Sequence, residues 1–404
     1  MGTPTAPFEN NKAFGVYIHF PYCEKLCSYC DFVVSTNPRI PHKEYAEAVL
    51  QELDDRAKRF EGLDLVSIYL GGGTPSLWDP IQIKNVIEAI VTKFGGSHLR
   101  EVTMEANPSA DLSRTFDSLQ GAGISRISLG VQTLQDTNLS LLNRSHTSLQ
   151  ALQDLEGILA NTSFKNTSAD LIYGLPGSTV DSVTRDTQIL CDMGIKHLSL
   201  YALTVEDGTS LNRAVQRKKI IVPEDDRVAD QAEAVWETAN RGGLFHYEIS
   251  SCAVPGNEAI HNSLYWHQRA YMGLGVGAHG LEPLSDSRET PYQHRVYRQN
   301  TNKVKDYIEH PTRSGTESAH DRMSWLHDLL IVRPRWLNGF RESEIYAHTF
   351  PMEEELMRRE VQTFIAEGIL IEDNEKLRLS ARGILFADAV TERLVSHIGH
   401  QASR

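Results

Sequence analysis

Six times between residues 14 and 222 the chain runs a short apolar stretch into a polar or glycine-rich turn, and in most cases a segment with helical spacing follows. The stretches are 14–20, 65–70, 101–108, 126–133, 170–177 and 197–204. Helices are expected at 41–60, 111–121, 147–160, 178–194 and, after the sixth strand, 223–241. Strand-then-helix units in a row call for parallel strands joined by right-handed crossovers, as a partial barrel or an open doubly wound sheet. The polar signatures favour the barrel, because nearly all fall at the C-terminal end of their strand. In parallel α/β architectures that edge is where sites are assembled.

The first of these ends carries the densest chemistry. Cys23, Cys27 and Cys30 put three of the five cysteines within eight residues, in the pattern Cys-x3-Cys-x2-Cys. An iron–sulfur cubane normally takes four cysteine ligands, so a loop offering three leaves one iron open to chelate a substrate. A partial zinc site or a disulfide would also use cysteines, although zinc sites more usually show Cys-x2-Cys pairs.

The later ends add candidates. After the second strand comes Gly71-Gly-Gly-Thr-Pro-Ser76, where glycine lets a ligand approach the backbone and Thr74 adds a hydroxyl. Glu105 and Gln132 lie within the third and fourth strands, where a buried carboxylate or amide is costly without a partner. Asp170 is open to two readings, a site residue or an exposed aspartate starting its strand. Arg144 belongs to a loop or to an ion pair. Further on, His261 shares a helical face with Tyr265. An imidazole flanked by aromatic area suits a flat ligand with a metal at its centre, and equally an aromatic helix packed into a domain junction.

A chain of 404 residues is long enough for two or three units. We expect an N-terminal tail at 1–13, a barrel at 14–222, an extension at 223–300 and a C-terminal unit at 301–404, with a long polar connection at 281–300. Helical spacing at 352–365, a hairpin over 369–379 and a helix from Ser380 to about His397 suggest a winged-helix-like module. A net charge of −13 and the glutamates crowding that module argue against nucleic acid. Membrane-span and signal-peptide patterns are missing, and the odd cysteine count fits a reducing compartment, so the cytoplasm is the expected location.

Taken in order, Tyr17-Ile-His-Phe-Pro-Tyr-Cys, the cysteine triad, Gly-Gly-Gly-Thr-Pro-Ser, Glu-Ala-Asn-Pro, Gly-Val-Gln-Thr, Asp-Leu-Ile-Tyr-Gly-Leu-Pro-Gly and His-Asn-Ser-Leu-Tyr-Trp resemble one branch of the radical S-adenosylmethionine (radical SAM) proteins. That branch holds the oxygen-independent coproporphyrinogen III dehydrogenases and the HemW-type haem chaperones. The resemblance implies an α/β fold, a partial (β/α)6 radical SAM barrel with a smaller C-terminal α+β domain. It implies a 4Fe-4S cluster on Cys23, Cys27 and Cys30, whose electron cleaves S-adenosylmethionine to a 5′-deoxyadenosyl radical. S-adenosylmethionine is then expected against Tyr17, Tyr29, Gly72, Gly73, Thr74, Glu105, Gln132, Arg144 and Asp170.

Two features separate the sister families. Phe32 stands where the dehydrogenases carry a fourth cysteine, and only 22 residues precede Cys23. The His-Asn-x-x-Tyr-Trp block is similar to the haem-binding motif of the HemW branch, which makes His261 the candidate iron ligand. Departures from the family pattern are Asn143 and the stretch 329–335. The resemblance therefore implies a haem chaperone, with haem, haem-accepting proteins such as membrane-associated respiratory enzymes, and an electron donor as partners. No residue is singled out as catalytic, and a homodimer is one option for the assembly. The alternatives are a coproporphyrinogen III oxidase of porphyrin biosynthesis and a non-radical zinc-binding interaction protein.

Overall fold

Alternation along each strand decides how the six expected strands are used. In the computed structural model, which describes residues 8, 12–283, 295–319 and 321–399, they are β1 (Ala13–Phe20), β2 (Asp64–Gly72), β3 (Glu101–Ala106), β4 (Arg126–Gln132), β5 (Ser168–Tyr173) and β6 (His197–Ala202). They pair in parallel and in chain order. An order without reversal means that every crossover steps the same way, so the sheet is singly wound. The doubly wound alternative needs a switch point, and these strands have none.

One face of the strands carries Val16, Ile18, Ile68, Leu70, Met104, Ile127, Leu129, Leu171 and Leu198, all buried in the main core against the helices. The residues between them share the other face, because side chains alternate along a strand and register partners point the same way. That face reads Gly15, Tyr17, His19; Ser67, Tyr69, Gly71; Thr103, Glu105; Arg126, Ser128, Gly130; Ser168, Asp170; His197, Ser199, and a register shift after Leu129 sets Gln132 opposite Leu171. It is a polar and aromatic lumen inside an apolar jacket.

The sheet continues on both sides. β7 (Phe245–Glu248) and β8 (Ser251–Ala253) form an antiparallel pair beside β6, with a turn at Ile249 and Ser250. β9 (Ala270–Leu274) lies parallel to β1, followed by antiparallel β10 (His279–Pro283), β11 (Arg295–Asn300) and β12 (Gly315–Ala319). The expected long connection at 281–300 is therefore strand at both ends, and 284–294 lie outside the described residues. So does the expected tail, apart from Phe8, Lys12 and Ala13; Phe8 is buried against Ala13, Val66 and Leu264. A buried ionic knot ties helix His42–Arg56 to this flank. Arg56 pairs with Glu52 and Glu282, Asn300 and Tyr307 each donate to Glu52 at 2.7 Å, and Arg59 reaches Glu282 at 2.8 Å.

The C-terminal unit has its own core around Trp325, Leu326, Met357, Phe364 and Val390. Helices Arg322–Val332, Pro351–Ala366 and Ala387–Val395 pack on a small antiparallel sheet of β13 (Phe340–Arg341), β14 (Leu370–Asp373) and β15 (Lys376–Leu379), in the order β13-β15-β14. The single helix expected after Ser380 is broken into Ala381–Ile384 and Ala387–Val395. Gly383 lies so close to the neighbouring chain that a Cβ there would meet the Ile369 carbonyl oxygen at 2.0 Å. Trp336 stacks edge-on with Tyr247, and Ile249 and Leu337 exchange backbone hydrogen bonds with Arg335 and Tyr247, which covers the free edge of β7. Among the described residues no helix is long and apolar enough to cross a membrane.

Candidate functional site

The cysteine loop leaves β1 at the C-terminal edge and is pinned at its neck and its middle. Its neck is closed by Cys23 N–H donating to Ser35 O at 3.0 Å and Ser35 N–H to Pro21 O at 2.7 Å. Its middle is held by Ser28, which donates from N to Leu142 O and from Oγ to Leu141 O, both at 3.0 Å, and accepts from Leu211 N. Cys23, Cys27 and Cys30 are free thiols, all partly buried. Burial pushes the Cys23 thiol up, against the Thr74 hydrogen bond, and pushes Cys30 up to about 11. Each of these two feels the charge of Cys27, which places the three thiols in one neighbourhood.

The turn after β2 is knitted to the stem of that loop. Gly73 N–H donates to Phe20 O at 2.7 Å and Thr74 N–H to Tyr22 O at 2.9 Å. A Cβ on Gly73 would meet Tyr22 O at 2.7 Å and Pro21 C at 2.8 Å, and Gly72 adopts φ +108°, so the close approach requires glycine at both positions. Thr74 Oγ1 then donates to Cys23 Sγ at 3.6 Å.

Below this mouth the lumen gathers the carboxylates. Glu105 accepts from Tyr69 OH at 2.8 Å and from Gly72 N–H at 3.1 Å, and burial still pushes it up to about 7. Asp170 is the third residue of β5, not an exposed strand start. It accepts from Ser128 Oγ at 3.1 Å, and burial raises it while that bond, Arg126 and Arg144 oppose. Tyr17 is half-buried, stacks on Tyr69 at 6.0 Å between ring centroids and meets His19 Nδ1 at 3.2 Å. Tyr29 packs with Leu142, Ile172 and Leu175 and feels Arg144, Cys27, Cys30 and Asp170. Gln132 ends β4 at φ +66°, a left-handed conformation costly for a residue with a Cβ. Arg144 donates to Cys27 Sγ at 3.5 Å and to Gly130 O at 2.9 Å. A Cβ on Gly130 would come within 2.7 Å of the Gln132 side-chain amide, which would have to shift.

His261 lies deeper in the lumen, with its ring centroid 5.1 Å from that of Tyr69 and 6.4 Å from that of Tyr17. It lies on helix Ile260–Trp266, whose first N–H groups, of Ile260 and His261, donate to Glu101 at the start of β3. Its ring is buried, Nδ1 bonded to Ser67 Oγ and Nε2 to Tyr265 OH, each at 2.9 Å. Burial drives its pKa down to about 3, so the imidazole is neutral. Reading the sequence missed Asn107, Tyr69 and Arg126. Asn107 had a signal: it is the polar residue just past β3, on the edge where the other signatures fall.

A model of the radical SAM superfamily matches residues 17–188. "Heme chaperone HemW" of Lactococcus lactis is 30% identical over 387 residues, covering 95% of this chain and 98% of that one. The protein of the same name from Mycobacterium tuberculosis is 31% identical over 388 residues, 95% of each chain. This chain belongs to the HemW family of radical SAM proteins. The mouse "Radical S-adenosyl methionine domain-containing protein 1, mitochondrial" is 32% identical over 413 residues, covering 98% of this chain and 91% of that one. The crystallised coproporphyrinogen III oxidase HemN of Escherichia coli superposes with a TM-score of 0.77 at 20% identity, over 96% of this chain and 91% of that one, and so shares the fold.

Radical SAM membership implies S-adenosylmethionine and a 4Fe-4S cluster, and the donor set of this HemW-family chain fits both. Three thiols on one pinned loop have hydrogen-bond donors at two of the sulfurs, and the loop faces a lumen of carboxylates. A cluster takes each thiolate on a different iron, so its ligands stand wider apart than those of a single ion. Among the described residues no three His, Cys, Asp or Glu side chains converge closely enough to chelate one ion.

Proposed function

We propose that this protein is a haem chaperone, which binds haem and hands it to haem-dependent proteins. The observation that carries the reading is the near end-to-end similarity to proteins named "Heme chaperone HemW". Cys23, Cys27 and Cys30 hold the cluster. S-adenosylmethionine lies over Gly72, Gly73 and Thr74, with Glu105, Asp170, Tyr17, Tyr29, Gln132 and Arg144 around it. When bound, this pair supplies one-electron cleavage of a sulfonium bond. Glu105 and Asp170 are placed to accept from the cofactor's amino or ribose groups, and Arg144 to meet its carboxylate.

His261 is our candidate haem ligand. Its imidazole is neutral, so coordination costs no deprotonation, but Nε2 must first release Tyr265. Haem acceptors of the respiratory membrane, an electron donor and a homodimer complete the proposal. We place the protein in the cytoplasm on its five free thiols, Cys23, Cys27, Cys30, Cys191 and Cys252. We also divide the chain at 14–222, 223–319 and 322–399. The expected boundary at 301 moves because β12 pairs with β11 and Tyr307 packs in the first core, while the second core begins at Trp325.

Anaerobic haem titration tests the assignment. The purified protein should develop a Soret band that His261→Ala loses or shifts. An identical band in the variant removes His261 as ligand, and no band in either removes the chaperone reading. A porphyrinogen assay alongside should show no protoporphyrinogen.

A further inference from the structure

Between Cys23 and Cys27 runs an unbroken chain of hydrogen bonds through a residue to which no role has been assigned. Arg144 Nη1 donates to Cys27 Sγ at 3.5 Å, and Arg144 Nη2 donates to Asn107 Oδ1. Asn107 Nδ2 donates to Thr74 Oγ1 at 2.9 Å, and Thr74 Oγ1 donates to Cys23 Sγ at 3.6 Å. The direction of every link is dictated by chemistry. A guanidinium has donors and no acceptor, so Asn107 must turn its oxygen toward Arg144. That leaves the amide NH2 for Thr74, whose oxygen is thereby used as an acceptor. The one hydroxyl proton of Thr74 then points at Cys23.

We propose that Asn107 is a positioning residue for the iron–sulfur site: it polarises Thr74 so that both Cys23 and Cys27 receive a hydrogen bond at sulfur, and so raises the cluster's reduction potential. This rests on the cluster reading above. Hydrogen bonds to cluster sulfurs are among the factors that set such potentials, because they stabilise the more negative, reduced state. Chains of aligned donors strengthen one another in a low-dielectric surrounding. Two donors fixed by one amide therefore act as a unit.

Asn107→Asp is the discriminating variant, since it keeps shape and reverses polarity. A carboxylate accepts from Arg144 and from Thr74 alike, which draws the hydroxyl proton away from Cys23. The experiment is a redox titration of anaerobically reconstituted full-length protein, followed by electron paramagnetic resonance, for wild type, Asn107→Asp, Asn107→Ala, Thr74→Val and the Asn107→Ala/Thr74→Val double variant. We expect the midpoint to fall in every single variant. For Asn107→Ala the fall is about tenfold in the reduction equilibrium, about 59 mV for one electron. The double variant should fall by less than the sum of its parts, because Asn107 acts partly through Thr74.

An unchanged midpoint and spectrum in Asn107→Ala, at equal iron content, overturns the proposal. So does a strictly additive double variant. Should Asn107→Asp take up no iron, the Asn107→Ala and Thr74→Val pair carries the same comparison. Wild-type protein that shows no reduced-cluster signal overturns the cluster reading itself, which is a separate result.

Discussion

Glu105 shows how one residue of the lumen couples a proton to the fold. Burial pushes its carboxyl from 4.5 up to about 7, against the pull of Tyr69 and Gly72. Between those two values the folded chain holds a proton that the unfolded chain has lost, so stability falls as pH rises through that window and levels off above it. The shift corresponds to roughly 3 kcal/mol at full effect. Glu105→Gln should flatten that part of the pH dependence in denaturant titrations at pH 5 and pH 8, and an unaltered slope would count against a buried, protonated Glu105. With its cationic amino group beside Glu105 as proposed, S-adenosylmethionine would favour the ionised form, and its binding near pH 6 should release a proton. The polarity of this position was legible in the sequence as a carboxylate inside a strand. Its neighbours were not, because tyrosines such as Tyr17 and Tyr69 read as apolar and hide the alternation of inner and outer faces. His261 illustrates the same limit: its aromatic company on its own helix was visible, but not that its ring packs on Tyr69 and Tyr17 with both nitrogens engaged.

At the scale of elements, the strands of the barrel were recognisable because each is a short apolar run punctuated by glycine or a polar turn. The flank beyond β9 was not. Residues 295–300 read as connection because β11 has its side chains alternately buried and half-exposed, with Arg298 and Asn300 among the buried ones. What fastens this flank is the ionic knot on Arg56, whose side chain and those of Glu52 and Glu282 are almost wholly buried. Removing one partner of such a cluster strands the others without compensation, which costs about 3–5 kcal/mol. Arg56→Met should lower the melting temperature accordingly, and adding Glu282→Gln should restore part of the loss. A second substitution that only adds further damage would mean that the knot is not the source of the first effect.

For the whole molecule, two cores meet along a narrow seam. Trp336 is its centre, with Tyr247 at 5.7 Å and His267 at 4.7 Å between rings, and the flanking backbone is hydrogen bonded to the edge of β7. Truncating a buried tryptophan typically costs about 3–5 kcal/mol. Trp336→Ala should therefore raise amide exchange along 245–253 and 335–341 while leaving β1 to β6 protected. Uniform loss of protection would show instead that the two cores fold as one. The family's order of motifs already implied a barrel followed by a smaller unit, but nothing in the residues around 301 betrays that the sheet runs on to Ala319.

The raised thiols have a consequence for the molecule before it is loaded. Thiolate, not thiol, is the form that oxidants and stray ions attack. With burial holding Cys30 up to about 11 and Cys23 above its ordinary value, these two sulfurs favour the protonated form at neutral pH. Seating a cluster on those two sulfurs as proposed would therefore be an acid-releasing event that the surrounding buffer must absorb.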